Sequence, residues 1–414
     1  MHFQPSERCQ ALLKAIRDFM RREVQPIEAE CLATAREMGA DWRQWRVLPA
    51  IEAAKAKARE AGLWNLFLPD ADLGAGLSTL EYAPLAEATG HSLIAPEIFN
   101  CNAPDTGNME VLYHYGNEAQ QAQWLQPLLA GEIRSVFAMT EPEVASSDAT
   151  NMQATIVSDG DDHVLINGRK WWATGLGHPN AKIAIVMGLT DAAADRHHRH
   201  SMVLVPLDAP GVEIVRMLPA MGEYDAPYGH GELRLTNVRV PRGNLIRELG
   251  AGFEIAQGRL GPGRIHHCMR CIGAAERALQ LLIERGASRV AFGKPLIMLD
   301  GNRERIAELR MAIDQARLLT LYAAWKIDQV GALQALTEIS AIKVIAPNVL
   351  ERTVDAAIQM HGGAGVSHDT PLTSLYSMAR VLRLADGPDQ VHKAMIAKVE
   401  LRKYAHLLGR GPAA

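Results

Sequence analysis

A short acidic turn near the C-terminus, Ala385-Asp386-Gly387-Pro388-Asp389, contains the residue types that proton transfer needs. It lies between two segments whose apolar residues recur at helical spacing. A carboxylate on a bend that faces a cleft can act as a general base, because it can reach a reactant while the chain holds it in place. The same aspartate could instead cap the following helix, which is the interpretation that spacing alone favours.

Three further segments could hold a planar cofactor that carries phosphates. The segment from Ser135 to Asp148 is rich in hydroxyls and small residues, which could meet the edge of a polar ring or form an ordinary Ser/Asp turn. Trp171 and Trp172 follow a tight-turn dipeptide and could cover an aromatic ring or belong to the core. Arg289 lies at a break between two helical segments, where it could bind a pyrophosphate or remain solvated.

The hydrophobic periodicity changes twice along the chain and predicts three domains. Residues 1–132 and 249–414 have apolar residues at every third and fourth position, which indicates an N-terminal helical domain and a C-terminal helical bundle. Residues 133–248 alternate with period two, which indicates a small central β-barrel or β-sandwich domain. Its last two strands are predicted at residues 232–235 and 238–241. The fold class is therefore mainly α with a central β domain, and the absence of alternating strands and helices argues against a Rossmann fold.

Composition is that of an ordinary globular protein. Of the 414 residues, 48% are hydrophobic and 22% are charged, and the formal net charge is −4. This balance argues against nucleic acid or an anionic membrane surface as the main partner, and no apolar run reaches the roughly 20 residues of a membrane span. The N-terminus has no signal-peptide core and the five cysteines are scattered, so a cytoplasmic location is expected. The Cys268-Met269-Arg270-Cys271 segment is interpreted as packed helix cysteines, and no metal site is predicted.

Five ordered motifs together resemble the acyl-CoA dehydrogenase family, over nearly the whole chain and in the family's helix–strand–helix order. They are Phe137-Ala138-Met139-Thr140-Glu141-Pro142 with Ala145-Ser146-Ser147-Asp148, Asn167-Gly168-Arg169-Lys170-Trp171-Trp172-Ala173-Thr174, Arg289 with Phe292-Gly293-Lys294, Gln359-Met360-His361-Gly362-Gly363-Ala364-Gly365, and Asp386-Gly387. The form of the last motif is most similar to the subgroup related to the C-terminal halves of animal family members 10 and 11.

The resemblance implies FAD, bound without a covalent link. The positions that match contacts around the isoalloxazine are Phe137, Met139, Thr140, Ser147, Trp172 and Thr174. The positions that match contacts from a neighbouring subunit to the pyrophosphate and adenosine are Arg289, Phe292, Gln359 and Gly363. Gln390 matches a contact near the catalytic turn. Because a second chain completes the cofactor site, the resemblance implies a homodimer or a homotetramer.

The implied reaction is α,β-dehydrogenation of an acyl-CoA, as in fatty acid β-oxidation and related lipid metabolism. Asp386 would remove the α-proton while the β-hydrogen leaves as hydride to flavin N5. Hydrogen bonds to the thioester oxygen would lower the barrier by about 3–4 kcal/mol per donor. The substrate would contact Ser147, Arg264 and Gly387. Arg264 is predicted at a helix N-terminus, where a cation is electrostatically unfavourable, and this favours a functional role for it.

The chain departs from the common family pattern at the proposed base. Most members have a glutamate that follows an aromatic residue, whereas Asp386 is one methylene shorter and follows Ala385. Other members place a glutamate on the central helix, but the matching position is Gly263, so Asp386 is the only matched carboxylate. Asp300 stands where many members have a glutamine that touches FAD. The smaller Ala385 and the shorter base together indicate that substrate shape explains the exchange.

Further expectations concern the electron acceptor and two alternative functions. Electron-transfer flavoprotein is the expected acceptor, because acyl-CoA oxidases of this superfamily usually carry a long additional C-terminal domain. A nitroalkane-oxidase-like enzyme, or another flavin oxidase on the same fold, is an alternative against which Arg264 and Ser146-Ser147 favour a CoA ester. A flavin-free helical scaffold is the alternative from a different class.

Overall fold

The structure is a computed structural model that describes residues 5–408, apart from the side chains of residues 260, 262 and 408. The described chain forms two compact units. The helical unit comprises residues 5–18, 78–93 and 264–408, and the mixed unit comprises residues 19–77 and 94–263. The ends of the two predicted outer domains, residues 1–4 and 409–414, lie outside the described residues.

Helices dominate both ends of the chain and strands its middle. The α-helices are α1 (Glu7–Phe19), α2 (Gln25–Glu37), α3 (Pro49–Glu60), α4 (Thr79–Thr89), α5 (Ala95–Ile98), α6 (Asp105–Tyr115), α7 (Glu118–Gln120), α8 (Gln126–Leu129), α9 (Gly252–Ser288), α10 (Asn302–Val330), α11 (Leu336–His361), α12 (Leu372–Leu382) and α13 (Asp389–Arg402). The strands are β1 (Arg134–Ala138), β2 (Thr155–Asp159), β3 (His163–Thr174), β4 (Ala181–Leu189), β5 (His200–Pro206), β6 (Val212–Met217), β7 (His230–Pro241), β8 (Val290–Ala291) and β9 (Lys294–Pro295). Two π-helical turns are Met20–Val24 and Gln121–Leu125, and the 3-10 turns are Trp42–Gln44, Ala149–Asn151, Arg242–Asn244, Leu296–Met298, Gly362–Val366 and Ala405–Leu408.

The predicted order of a helical domain, a small β domain and a helical bundle is confirmed. The boundaries at residues 132/133 and 248/249 stay a prediction. The compact units divide the chain differently, because α4 belongs with the C-terminal helices and the unit boundary falls inside α9, after Gly263.

Two glycines let α4 and α9 pack closely in the helical unit. A Cβ atom at Gly273 would overlap the carbonyl of Glu87, and one at Gly90 would overlap the backbone of Arg270. The N-terminus of α4 is capped by Asp328 of α10, whose carboxylate accepts hydrogen bonds from the first two backbone N–H groups at 2.8 and 2.9 Å. This interaction satisfies donors that a helix leaves unpaired and places a negative charge at its positive end.

The centre of the mixed unit is a curled seven-stranded sheet in the order β1-β4-β2-β3-β7-β6, with β5 paired to β4. Strand β1 runs parallel to β4, and β3 runs antiparallel to β7 along most of its length. Alternate side chains fill its core, including Val136, Ile156, Val164, Ile166, Ala184, Val203, Leu233, Leu235 and Val238. Burying each such Val, Ile or Leu contributes about 1.5–3 kcal/mol, so this core provides a rigid base for the loops described below.

Two strand predictions need correction. Residues 232–235 and 238–241 form one continuous strand, β7, and not two strands. Asn237, which interrupts the alternation, adopts a left-handed backbone with φ of 49°, and its N–H donates to the side chain of Asn167 at 2.7 Å. The break in the pattern is therefore an irregularity within a strand, as β-bulges are. The segment from Ser135 to Ala138, interpreted above as part of a loop, belongs to strand β1.

Candidate active site

The Asp386 turn joins α12 to α13 in the helical unit. Asp386 and Gly387 both have left-handed backbone, with φ of 55° and 101°. Helix α13 begins at Asp389 and its N-cap is Pro388, so Asp386 is not the cap of that helix. A non-glycine residue in this region costs about 1–3 kcal/mol, and such residues cluster at functional sites. The cap interpretation is therefore wrong, and the turn has the geometry of a functional bend.

Three side chains from two helices surround Asp386. Its carbonyl oxygen accepts hydrogen bonds from Arg264 Nε at 2.9 Å and from His392 Nε2 at 3.3 Å. Its carboxylate Oδ2 lies 3.6 Å from His267 Nε2 on α9. The other ring nitrogen of His267 lies 3.2 Å from Arg270 Nη2, which can only donate. His267 Nδ1 is therefore an acceptor, and its proton is on the nitrogen that faces Asp386.

Arg264 does not lie at the start of a helix. Helix α9 begins at Gly252, so Arg264 is in its second third, and the glycine-rich segment from Gly261 to Gly263 continues the helix. The predicted helix start was wrong, because helix breakers are weak signals that the surrounding hydrogen bonds can override. The dipole argument for Arg264 therefore no longer applies. Its half-buried guanidinium has a pKa lowered by burial, which the charge of Asp386 partly offsets.

A buried ion pair fixes the loop after β1 to strand β3. Lys170 is fully buried, and its Nζ donates to the carbonyl of Met139 at 2.9 Å and to Glu141 Oε1 at 2.7 Å. The Glu141 carboxylate also accepts the backbone N–H groups of Gln153 and Ala154 at 2.7 and 2.9 Å. The pair therefore sets the position of Met139 and of the residues that follow it.

The same loop meets the two tryptophans. The backbone N–H of Trp171 donates to the carbonyl of Thr140 at 3.0 Å. The register of β3 against β7 shifts here, and Trp172 has a left-handed backbone, with φ of 52° and 41% exposure. Thr174 Oγ1 lies 2.9 Å from His230 Nδ1, and the His230 ring lies 5.9 Å from that of Trp172. Such irregularities often redirect a side chain beside an active site, and Trp172 is not a core residue.

Not every predicted cofactor residue is enclosed. Ser147 is exposed, although its neighbour Ser146 accepts the N–H of Glu141 at 2.8 Å and so fixes the loop. Gln390 is exposed on the first turn of α13. Phe137 is partly buried on β1.

Four predicted cofactor residues gather at one end of the helical unit. Strands β8 and β9 form a hairpin whose turn residues, Phe292 and Gly293, have φ of 52° and 78°, as a type I′ turn requires. The ring of Phe292 is 93% exposed. Gly286, near the end of α9, leaves room for Met360 near the end of α11, because a Cβ atom there would lie 3.2 Å from the Met360 sulfur. The four predicted cofactor residues at this end of the unit are all exposed: Arg289, Phe292, Gln359 and Gly363.

A network of buried polar side chains in the mixed unit ends beside Phe137. Hydrogen bonds and ion pairs link Lys55, Glu97, Arg134, Asp105, Ser135, Asn108 and Arg259. Arg259 Nε donates to Asn108 Oδ1 at 3.0 Å, and its guanidinium lies 3.7 Å from the centre of the Phe137 ring. Sequence reasoning missed this network because its members are spread from residue 55 to residue 259 and follow no motif.

Glu110 on α6 is expected to make stability depend on pH. The residue is 6% exposed, and its Oε2 has no hydrogen-bond partner among residues 5–408. Burial raises the pKa of this carboxyl from 4.5 to about 8, and the charge of Arg259 offsets only part of that effect. The folded state then binds a proton that the unfolded state lacks, so stability falls by up to about 1.4 kcal/mol per pH unit between these values. The Glu110→Gln variant should lose this dependence and gain stability over the wild type above pH 8.

Urea unfolding from pH 5 to pH 9 measures this difference. The exposed Glu213, which pairs with Arg234 at 2.9 Å, provides a matched control when it is changed to glutamine. Parallel stability curves for the wild type and Glu110→Gln would show that Glu110 ionises normally.

The remaining sequence predictions concern cysteines, metals and membranes. Cys268 and Cys271 are fully buried free thiols on α9, and burial raises the pKa of both. Among residues 5–408, no group of three or more His, Cys, Asp or Glu side chains could hold a metal ion. In the same range, no helix combines the length and apolar character needed to cross a bilayer.

Comparison with known families identifies the class. The chain matches the models of the acyl-CoA dehydrogenase N-terminal domain over residues 6–132, middle domain over residues 136–238 and C-terminal domain over residues 250–401. The chain therefore belongs to the acyl-CoA dehydrogenase family, a family of oxidoreductases, and the resemblance inferred from the five motifs is confirmed.

Individual relatives support this assignment. Acyl-CoA dehydrogenase family member 11 of Mus musculus is 51% identical over 408 residues, which cover 98% of this chain and 52% of that protein. The chain thus spans about half the length of that relative. FadE2 of Mycobacterium tuberculosis, named as a probable acyl-CoA dehydrogenase, is 54% identical over 387 residues and 93% of each chain. A solved structure of a candidate acyl-CoA dehydrogenase from Mycobacterium abscessus is 58% identical, with a TM-score of 0.94 over 97% of this chain and all of that one.

Proposed function

We propose that the chain is a FAD-dependent acyl-CoA dehydrogenase that converts an acyl-CoA thioester to the trans-2-enoyl-CoA. The observation that carries the proposal is the geometry of Asp386. This half-buried residue lies in a left-handed turn, and its backbone carbonyl accepts a hydrogen bond from Arg264 Nε at 2.9 Å. A base fixed in this way, in a chain of this family, is suited to removing an α-proton.

The residues of the mixed unit fit a planar ring with a polar edge. Trp172 exposes a large apolar ring on a strand irregularity. Its neighbour Trp171 donates to the carbonyl of Thr140, and the Thr174 hydroxyl contacts His230, whose ring lies 5.9 Å from that of Trp172. We assign Phe137, Met139, Thr140, Ser147, Trp172 and Thr174 to the isoalloxazine of FAD. These residues would hold FAD, and the chemistry it would supply there is that of a hydride acceptor for the β-hydrogen.

Asp386 is the proposed base. Its carboxylate takes the α-proton as the α C–H bond breaks, and the electron pair of that bond forms the double bond as the β-hydrogen departs. His267 cannot take the proton instead, because Nδ1 accepts from Arg270 and Nε2 already carries a hydrogen. The backbone N–H of Asp386 would donate to the thioester oxygen, an interaction commonly worth about 3–4 kcal/mol.

The substrate and partners belong to the same proposal. Arg264 and Gly387 flank the base, and the exposed Ser147 loop offers hydroxyls, so these three residues would contact the CoA ester. The exposed residues Arg289, Phe292, Gln359 and Gly363 would reach the pyrophosphate and adenosine of FAD in a second subunit, and Gln390 would contact the cofactor near the turn. Because a second subunit would complete the cofactor site, the protein would be a homodimer or homotetramer. Electron-transfer flavoprotein is the proposed electron acceptor, and the proposed location is the cytoplasm.

Purified protein should be yellow and should lose its flavin colour when acyl-CoA is added without oxygen. The panel should extend from short to very long acyl chains and include branched and 4-hydroxy esters. The matching enoyl-CoA, two hydrogens lighter, should appear by mass spectrometry. Reoxidation should be faster with electron-transfer flavoprotein than with oxygen.

Two results would contradict the proposal. A colourless protein that fails to bind added FAD would favour the helical scaffold. A flavoprotein reduced by nitroalkanes but by none of the CoA esters would favour the nitroalkane-oxidase-like alternative.

A further inference from the structure

The helix after the catalytic turn carries a buried histidine that contacts the backbone of Asp386. His392 on α13 is 3% exposed, and its Nε2 lies 3.3 Å from the Asp386 carbonyl oxygen. Its Nδ1 lies 3.3 Å from Ser340 Oγ on α11. A carbonyl oxygen can only accept, so Nε2 carries the proton and the Ser340 hydroxyl donates to Nδ1. One neutral tautomer therefore makes both contacts.

The surroundings of His392 keep it neutral. Burial lowers its pKa to about 4, and the charges of Arg264 on α9 and Lys343 on α11 act in the same direction. Lys343 is itself fully buried and donates to the carbonyl of Leu382. Hydrogen bonds to the turn backbone oppose these effects but are smaller. His392 is thus a fixed hydrogen-bond donor across the working pH range, and not a proton carrier.

Two donors from different helices hold the carbonyl of Asp386. Arg264 of α9 donates at 2.9 Å and His392 of α13 at 3.3 Å. Together they oppose rotation of the peptide that joins Asp386 to Gly387, both in left-handed conformation. A Cβ atom at Gly387 would lie only 3.0 Å from His392 Nε2, so the ring occupies the space that a side chain there would need.

The length of the base makes this backbone restraint important. An aspartate has only two side-chain torsions between its backbone and its carboxylate, one fewer than a glutamate. Its carboxylate therefore follows the backbone closely, and a displaced peptide cannot be corrected by another rotamer. A misplacement of about 1 Å in a reacting group can cost about 10²-fold in rate.

We propose that His392 is a positioning residue, whose Nε2–H fixes the Asp386 peptide so that the short carboxylate reaches the α-proton. This inference rests on the proposed dehydrogenase function, since it concerns the same base. The histidine acts through the backbone and does not touch the substrate.

Paired substitutions test this role in the FAD-loaded enzyme. His392→Leu removes both hydrogen bonds, whereas His392→Gln keeps an N–H donor near the position of Nε2. The leucine variant should reduce its flavin with acyl-CoA about 10²-fold more slowly. The glutamine variant should recover to within about tenfold of the wild type. An α-deuterated substrate should give the leucine variant an isotope effect at least as large as that of the wild type.

Binding separates positioning from a general structural role. The product trans-2-enoyl-CoA has already lost the α-proton and the β-hydride, so its affinity for the oxidised enzyme reports binding without the chemical step. Its dissociation constant should change less than about threefold in His392→Leu, because the loss lies in the chemical step. His198→Leu, the same change at an exposed loop histidine, should leave both rate and binding unchanged.

Several outcomes would overturn the inference. One is a wild-type rate in His392→Leu, and another is a His392→Gln variant that is as slow as the leucine variant. If the leucine variant loses FAD or does not fold, His392→Phe, which keeps a planar ring, is measured against the same thresholds. Loss of FAD or folding in both would assign His392 a purely structural role. A wild type that oxidises no acyl-CoA would refute the dehydrogenase function itself, whereas an active wild type with an active leucine variant would refute only the positioning role.

Discussion

Replacing Asp386 with asparagine is expected to slow flavin reduction by acyl-CoA about 10³–10⁴-fold, the contribution of a well-placed general base. Asparagine has nearly the same shape but cannot take a proton. The other carboxylate of the turn, Asp389, is paired with Arg383 at 2.9 Å. The position that matches the alternative glutamate is Gly263, and His267 is engaged with Arg270, so these groups are not expected to replace the base. FAD content and thermal stability should remain close to the wild type. Anaerobic stopped-flow reduction measures the rate.

A matched control separates loss of the base from loss of a surface charge. Asp369→Asn makes the same chemical change at an exposed residue between α11 and α12 and should react like the wild type. The assignment of the base would be refuted by an Asp386→Asn enzyme that oxidises acyl-CoA within tenfold of the wild-type rate, an outcome far above the residual rate expected without a base.

Replacing Lys170 with methionine is expected to destabilise the protein by about 3–5 kcal/mol, because it leaves the Glu141 carboxylate buried without a counter-charge. Burial lowers the pKa of Lys170 to about 8, which Glu141 partly offsets, so the lysine is still largely charged at pH 7. The loss should spread to the loop that contains Met139, whose carbonyl also accepts from Lys170 at 2.9 Å. Urea unfolding measures the free energy of unfolding. The fraction of protein that retains FAD shows whether the loop that contains Met139 is still in place.

A second substitution shows whether the unpaired charge causes the loss. The double variant Lys170→Met with Glu141→Gln removes the buried charge but keeps only one of the two oxygens that accept from Gln153 and Ala154. It should therefore recover part of the stability, less the cost of one lost hydrogen bond. If Lys170→Met alone costs less than about 1 kcal/mol, the pair contributes no more than a surface ion pair and the argument fails.

The sequence predicted the class of the fold and the turn around Asp386, because both depend on local patterns. The period of the hydrophobic residues separates helical segments from strands. The Asp-Gly-Pro sequence between two helical segments indicates a turn. The start of α9 was missed for the same reason: Gly261 and Gly263 suggest a break locally, whereas packing along the helix overrides them. The predicted FAD contacts came from the resemblance, and they stay predictions.

The groups around the base could not be read from the sequence. His392 contacts Ser340, which is 52 residues away in the chain, and only the folded helical unit brings them together. A histidine on a helix has no spacing signal that separates a core residue from a positioning residue. Glu110 and Arg259 are likewise far apart in sequence, and their effect on each other depends on burial, which composition does not reveal.

All five cysteines are buried thiols that form no disulfide, so their reactivity can report local opening of the fold. Cys9, Cys268 and Cys271 belong to the helical unit, whereas Cys31 and Cys101 belong to the mixed unit. Only a thiolate reacts with a disulfide reagent, and burial both shields these thiols and raises the pKa of Cys9 to about 11. Labelling must therefore wait for each unit to open. Its rate, followed site by site with mass spectrometry, would measure the opening free energy of each unit separately.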